Sequence, residues 1–547
     1  MRRPLPTEQF TRALSRFRPD VSAPIAVLKD LLDLGAAPEN MPQIATDSKI
    51  VPICMGLLQQ HCAHSRIFGE NNYGVICICL IALRVEVNLL ESIGYSFDDS
   101  DDVGYDGPTT NLRTLEDDLS NGIVGAYQNR RPDDPPDLFR TSVGLVHAPP
   151  VLTSDQGGRI LDYLHRERDS FLRARVSGTS NWAGWPFLFH ALWERLVFRN
   201  DNKITKAALK LLDIFYRFMI VKPENASQAN LTESLIVRIK LGMSTRDVVS
   251  APVNPSDRQQ IMKAYINRLT NDPNPPTMRL SHAFFKWVVL ALDRTQVDLV
   301  VEFITTTFDR LWGILEDMKA RGPVEFAQIS LAMTFTAEVI DYLGNYLAGD
   351  LFMPRVQLRF AKDISRLLKQ AFLERDIISL IARALMLPTL SSAELETLSD
   401  TDKKVANFGF SEFFNTMLKL SGLLSQHFGT FTDFFMPLLL DWVKGSRQIM
   451  EQLLKYDTAT FTYNYLDKCR DEWDGLAIAL FMHVGVAKDQ MSGCSYPRCP
   501  LPTLDRGAMY KCGKCCLATY CSYRCQNSDW WGSATVESHM KTCGPSK

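Results

Sequence analysis

Paired cysteines near the C-terminal end are the strongest chemical signal in this sequence. Eight of the thirteen cysteines lie beyond residue 490, and a histidine accompanies the last of them. A short gap between two such residues lets one turn of chain present both side chains to the same metal ion. The pairs are Cys494 and Cys499, Cys512 and Cys515, Cys521 and Cys525, and His539 and Cys543. Because Zn²⁺ takes four ligands of this kind, the sequence predicts two zinc ions.

The predicted sites are structural and not catalytic. Protein side chains would fill every coordination position, so no position is left for water or substrate. Residues 490–547 also form a segment too short to bury much apolar surface. Because a structural zinc ion contributes roughly 10 to 16 kcal/mol to the folding of a small finger, we expect metal to fold this segment.

Residues 520–530 resemble the central signature of MYND-type zinc fingers. The signature is YCS-x-x-CQ-x-x-DW, and this stretch reads YCSYRCQNSDW. The resemblance covers the C-terminal segment only, and it implies an interleaved, cross-brace arrangement. One zinc would be held by Cys494, Cys499, Cys521 and Cys525, and the other by Cys512, Cys515, His539 and Cys543. The spacing alone leaves a sequential pairing of the same residues open.

The segment departs from the MYND pattern in three places. Four residues (SYPR) separate Cys494 from Cys499, where the family usually has two. The stretch before His539 is longer than usual, and Cys516 is a spare thiol beside the ligand candidate Cys515. A HIT-type finger shares the tyrosine-cysteine-serine core, but the CQ and DW dipeptides favour MYND. A RING finger would need a histidine close behind the third cysteine, and none is present.

The resemblance also implies a peptide-binding groove. In MYND fingers, a groove beside the second half of the module binds short proline-rich peptides, and Gln526 and Trp530 match positions that line it. An aromatic face can stack on proline rings while an amide anchors the peptide backbone. The alternative is that Trp530 packs against the metal-binding loops. Trp531 could serve either role.

Residues 1–487 have the hydrophobic pattern of α-helices. Apolar residues recur every three or four positions in several stretches, as expected for helices that pack one face on a core. The clearest stretch comprises Val297, Val300, Ile304, Phe308, Leu311, Leu315 and Met318. Strand-like alternation is scarce, and we find no fixed repeat period. We therefore predict an all-α scaffold, either an armadillo-like α-solenoid or an irregular helical domain, followed by the zinc module at 490–547.

Two stretches should interrupt the scaffold as exposed loops, an acidic one near 96–110 and a proline-rich one near 129–137.

The cysteines outside the module lie in apolar or helical contexts, which is typical of small core residues in a reducing compartment. They are Cys54, Cys62, Cys77, Cys79 and Cys469.

Composition narrows the choice of partners and location. The formal net charge is −2, which gives no electrostatic reason to expect nucleic acid or an anionic membrane as a partner. The apolar stretch at 73–83 is shorter than the 18 to 20 or so residues that span a bilayer, so we expect a buried helix there. No secretory signal follows the N-terminus. These features predict a cytoplasmic or nuclear protein.

No catalytic motif accompanies the module. We find none of the cofactor-binding motifs of SET methyltransferases, no phosphate-binding glycine loop and no nucleophile elbow. The sequence therefore predicts a non-enzymatic adaptor that binds protein partners, including proline-rich peptides. A transcriptional co-regulator that recruits partners through the module, and an unrecognised enzyme in the helical region, remain the alternatives.

Overall fold

The protein is mostly helical in the computed structural model, which confirms the predicted all-α class. The α-solenoid alternative stays a prediction. The predicted loops at 96–110 and 129–137, and the predicted boundary at 487–490, lie outside the described residues. The described residues are 6–17, 25–35, 40–64, 67–68, 73–92, 117, 119–125, 151–177, 184–198, 206–221, 226–241, 255–272, 275–292, 296–322, 324–349, 374–399, 403, 413–416, 432–481, 494–499, 510–512, 514–515, 518–532 and 537–543.

Internal contacts divide the chain into two units. The first comprises Met1–Arg268 with Trp287–Leu292, and the second comprises Leu269–Lys286 with Asp293–Lys547. All the cysteine pairs predicted to bind metal belong to the second unit.

The first unit is built from helices up to α11, whose last residues belong to the second unit. They are α1 Pro6–Arg16, α2 Ile25–Gly35, α3 Met41–Thr46, α4 Ile50–His64, α5 Tyr73–Ser92, α6 Ser154–Arg166, α7 Arg168–Ser177, α8 Trp185–Trp193, α9 Lys206–Met219, α10 Ala226–Leu241 and α11 Pro255–Thr270. A π-helical turn, Glu194–Phe198, continues α8. The helix α12 Met278–Val289 is shared between the two units.

Helix α5 is the centre of the first unit. It packs against α2, α3, α4 and α8. The window Tyr73–Leu90 has the length and hydropathy of a membrane span, and 89% of it is buried within the protein. Gly184, at the start of α8, has a φ of 75°, and a Cβ there would lie 2.9 Å from Oε2 of Glu86 on α5. Only glycine combines this backbone conformation with so close an approach.

A buried ion network ties α9 to α11. The Arg217 guanidinium is fully buried and donates to both carboxylate oxygens of Asp257, at 2.6 and 2.9 Å. It also donates through Nε to Asp213 at 3.1 Å, and the indole N–H of Trp287 donates to the other oxygen of Asp213 at 3.1 Å. Because each charge has an opposite partner, no isolated charge is buried here, and removal of any one partner would leave such a charge in the core.

The second unit consists of the remaining helices and one short β-ribbon. The helices are α13 Val297–Arg321, α14 Phe326–Gly349, α15 Ile377–Met386, α16 Ser392–Thr397, α17 Thr432–Leu453, α18 Phe461–Phe481, α19 Tyr523–Trp531 and α20 His539–Thr542. A 3₁₀ turn, Leu387–Ser391, joins α15 to α16. The ribbon pairs β1 Tyr510–Lys511 with β2 Thr519–Tyr520 in antiparallel register.

Helix α15 is the centre of the second unit. All of its residues are buried, and it packs against α13, α14 and α17. The window Ile377–Thr397 also has the hydropathy of a membrane span, and 67% of it is buried. Asp376, which precedes α15, adopts a left-handed conformation with φ 51°. This conformation is strained for most residues other than glycine and needs support from the surrounding structure. The side chain of Asp376 contacts the cysteine-rich segment, as described below.

Helices α17 and α18 are locked by a pair of tryptophans. The rings of Trp442 and Trp473 stack with centroids 6.3 Å apart, and each indole N–H donates to the main-chain oxygen of the other residue. A Cβ at Gly445 would lie 2.6 Å from the Trp473 ring. Glycine therefore permits the close approach that fixes the position of α17.

The predicted stripe on α13 is present. Val297 is half-buried, and the other six residues of the stripe are buried in the second unit.

The predicted core role of the isolated cysteines is confirmed for Cys54, Cys77, Cys79 and Cys469, which are all buried. The side chain of Cys62 lies outside the described residues.

Candidate metal centre

The eight predicted ligands form two groups of four. Within each group the ligand atoms lie within 4.8 Å of one another. The groups alternate along the chain, so the interleaved pairing is the one that the structure has. The first tetrad is Cys494, Cys499, Cys521 and Cys525, and the second tetrad is Cys512, Cys515, His539 and Cys543.

The spacing within each tetrad fits a tetrahedral metal ion. With Zn–S bonds of about 2.3 Å, the sulfur atoms of a tetrahedral site lie about 3.8 Å apart. In the first tetrad the Sγ atoms of Cys499 and Cys521 are 3.7 Å apart, and those of Cys521 and Cys525 are 3.5 Å apart. In the second tetrad the Sγ atoms of Cys512 and Cys543 are 3.7 Å apart. Each tetrad could therefore hold one metal ion such as zinc.

The β-ribbon explains the interleaving. Cys512 follows β1 at the turn end of the ribbon, where its N–H donates to the carbonyl of Ala518 at 2.9 Å. Cys521 follows β2 and so lies at the opposite end. Three residues of extended strand span about 10 Å, so a rigid ribbon delivers these two cysteines to different metal ions.

Helix α19 positions Cys525, the last ligand of the first tetrad along the chain. Its N-cap, Ser522, accepts a hydrogen bond from the N–H of Cys525 at 3.1 Å, which places Cys525 in the first turn. The Tyr520 hydroxyl donates to Oδ2 of the buried Asp529 at 2.7 Å and thereby ties β2 to α19. Burial raises the pKa of Asp529 above its ordinary value, although the Tyr520 hydrogen bond opposes that shift. The tyrosine, serine and aspartate of the predicted signature thus have structural contacts.

The two residues predicted to line a peptide groove both lie on α19, one turn apart. Trp530 packs against the buried metal-site cluster, and its ring meets that of His539 edge-on at 6.0 Å. Gln526 is half-buried. Trp531 is the more accessible tryptophan, with 64% of its surface exposed, and Tyr523 is 66% exposed. The packing alternative for Trp530 is therefore present, and peptide contact by Gln526 and Trp530 stays a prediction.

The four residues between Cys494 and Cys499 dock the first tetrad onto the helical part of the second unit. Tyr496 is buried, and its hydroxyl donates to Oδ2 of Asp376 at 2.7 Å. Arg524, on α19, forms an ion pair with the other carboxylate oxygen of Asp376. The left-handed residue before α15 thus carries two contacts to the metal module, which support its conformation.

Arg498 makes the second anchor. It is 1% exposed, donates through Nε to Glu316 at 3.2 Å, and lies over the ring of Trp312 with its Cζ 4.9 Å from the centroid. A second arginine, Arg383, reaches in the opposite direction from α15. Its Nη2 donates to the carbonyl oxygens of Pro497 and Cys499, at 2.6 and 2.7 Å.

Burial has the largest effect on the pKa values of two acidic residues of α13 at this interface. It raises the pKa values of Asp309 and Glu316 above their ordinary range, although the nearby arginines Arg375 and Arg498 act in the opposite direction. In the first tetrad, hydrogen bonds with the neighbouring thiols, followed by burial, raise the pKa of Cys499 well above its ordinary value. Because a metal ion binds the thiolate, metal uptake there must release a proton.

The sequence did not reveal the anchoring residues Tyr496, Arg498, Arg383 and Asp376. The signal that could have found them is the longer gap between Cys494 and Cys499, since the added residues include a tyrosine and an arginine.

Comparison with known proteins finds no matching family model, no matching curated protein and no matching solved structure.

Proposed function

We propose that this protein is a non-enzymatic interaction protein whose C-terminal module is a MYND-type zinc finger with two structural zinc ions. The observation that carries the proposal is the alternation of the two tetrads along the chain, together with the signature at residues 520–530. Each tetrad has four protein ligands, and such closed sites act in folding rather than in catalysis.

The module would dock proline-containing peptides on the side of α19. Gln526 and Trp530 are the residues that the family resemblance assigns to this contact. Trp531 and Tyr523 add exposed aromatic surface on the same helix, and aromatic residues are enriched where proteins bind peptides. The net charge of −2 supports protein partners in preference to nucleic acid or membranes, in a cytoplasmic or nuclear setting.

Peptide binding is tested with the full-length protein and an array of short synthetic proline-rich peptides, each paired with a counterpart in which alanine replaces proline. We expect binding that requires proline and that weakens in Gln526→Ala. Trp531→Ala tests the neighbouring exposed surface, and Leu454→Ala is the control, because Leu454 is an 81% exposed apolar residue that follows α17. Equal binding of the proline and alanine peptides would refute the peptide role, while the zinc content of the same samples tests the metal role separately.

A further inference from the structure

A buried lysine from the helical part of the second unit reaches the first tetrad. Lys444 lies on α17 and is 2% exposed. Its Nζ is 3.3 Å from Sγ of Cys525, within hydrogen-bond distance for a sulfur acceptor. Lys444 is 81 residues away from Cys525 along the chain, so the fold and not a local motif creates this contact.

The contact depends on the packing of α17. The residue after Lys444 is Gly445, whose lack of a side chain allows the close approach to Trp473 described above. The paired hydrogen bonds between Trp442 and Trp473 fix the same turn of the helix. The ammonium is therefore held at a defined place on a rigid element, as second-sphere groups of metal sites are.

The positive charge of Lys444 can offset negative charge on the first tetrad. A divalent ion with four thiolates carries a net charge of about −2, whereas three thiolates and a neutral imidazole leave about −1. The first tetrad is thus the more negative and is deeply buried, where an uncompensated charge is costly. An ammonium that donates to a thiolate offsets part of this charge and withdraws electron density from the sulfur that an acid or an electrophile would attack.

The second tetrad is stabilised differently. Its thiolate Cys512 accepts hydrogen bonds from the backbone N–H groups of Lys514 and Cys515. These donors belong to the metal-binding loop itself and do not depend on the helices.

We propose that Lys444 is a second-sphere residue of the first zinc site, where it protects the Cys525 thiolate and makes the first zinc slower to leave than the second. This inference rests on the proposed zinc occupancy. The first zinc site would then include a residue of helix α17 as well as the residues of the metal module.

Zinc release from the full-length protein to a chromophoric chelator, in the presence of N-ethylmaleimide, tests the proposal. Wild type should release zinc in two phases, and Cys543→Ser should abolish the fast one. Because loss of a second-sphere group weakens metal binding by about 10- to 100-fold, Lys444→Met should accelerate the slow phase by that factor. Lys444→Arg, which retains a cation, should restore most of the slow rate.

The matched control is Lys541→Met, because Lys541 is an exposed lysine between two ligands of the second tetrad. It should change neither phase. Should Lys444→Met not fold, Lys444→Gln keeps a neutral N–H donor and should still accelerate the slow phase. An unchanged slow phase in variants that hold two zinc ions would overturn the role of Lys444, as would equal acceleration of both phases. Wild-type protein without zinc would instead refute the proposed function itself.

Discussion

The two tetrads use nearly the same ligands but lie in different surroundings. Cys499 and Cys521 of the first tetrad are fully buried, and the loop between its first two ligands is anchored on α13 and α15. In the second tetrad, His539 is half-buried, and its neighbour Met540 is 41% exposed. The cysteines of both tetrads are buried, so the residues between the ligands, and not the ligands themselves, decide whether a metal site is anchored on the helices.

The largest expected difference comes from removing one ligand from each tetrad. Cys499→Ser should release one zinc and loosen α13 and α15, because the loop that it holds carries Tyr496 and Arg498. Cys543→Ser should also release one zinc, but the backbone amides of these helices should stay protected from hydrogen exchange. Loss of a structural zinc removes on the order of 10 kcal/mol of binding free energy. Hydrogen exchange with zinc analysis measures both effects, and equal loss of helix protection in the two variants would break the comparison.

The next largest effect should come from Arg498→Met. Removing this guanidinium leaves the carboxylate of Glu316 without its ion pair in a partly buried position, and breaking such a pair costs about 3 to 5 kcal/mol. Urea denaturation measures the free energy of unfolding. Arg470→Met is the control, because Arg470 pairs with Asp467 and Asp471 on the surface, where an ion pair contributes about 0 to 1 kcal/mol. Similar costs for both variants would contradict the anchoring role of Arg498.

A smaller effect is expected from Tyr520→Phe. The substitution removes the hydrogen bond to the buried Asp529, and leaving that carboxylate without this donor should cost about 1 to 3 kcal/mol. Tyr510→Phe is the matched control, since Tyr510 pairs with Tyr520 across the ribbon but is 37% exposed. The free energy of unfolding measured with urea should fall in the first variant only.

The smallest effect on stability should come from Trp531→Ala. Because most of this side chain is exposed, its removal should change the free energy of unfolding by no more than about 0.5 kcal/mol. Trp530→Ala should cost more, since Trp530 packs against the metal cluster. Urea denaturation of both variants checks this order, and the reverse order would show that the buried and exposed faces of α19 are wrongly assigned.

The sequence was a good guide to local features and a poor one to distant contacts. Helical periodicity predicted the buried face of α13, and short gaps predicted the four ligand pairs, because each pattern lies within a few consecutive residues. The grouping of these pairs into two interleaved tetrads came from the resemblance to MYND fingers and not from the spacing. Lys444 gave no such signal, since its partner Cys525 is brought close only by the packing of α17. Similarly, the sequence around Arg498 suggests an exposed cation, whereas the structure places its guanidinium over the ring of Trp312.

The most direct test of this account is zinc analysis combined with X-ray absorption at the zinc edge on the purified full-length protein. We expect two zinc ions per chain whose ligands are mostly sulfur, with seven thiolates and one imidazole divided between them. Protein without bound zinc, or zinc with a shell rich in oxygen ligands, would contradict it.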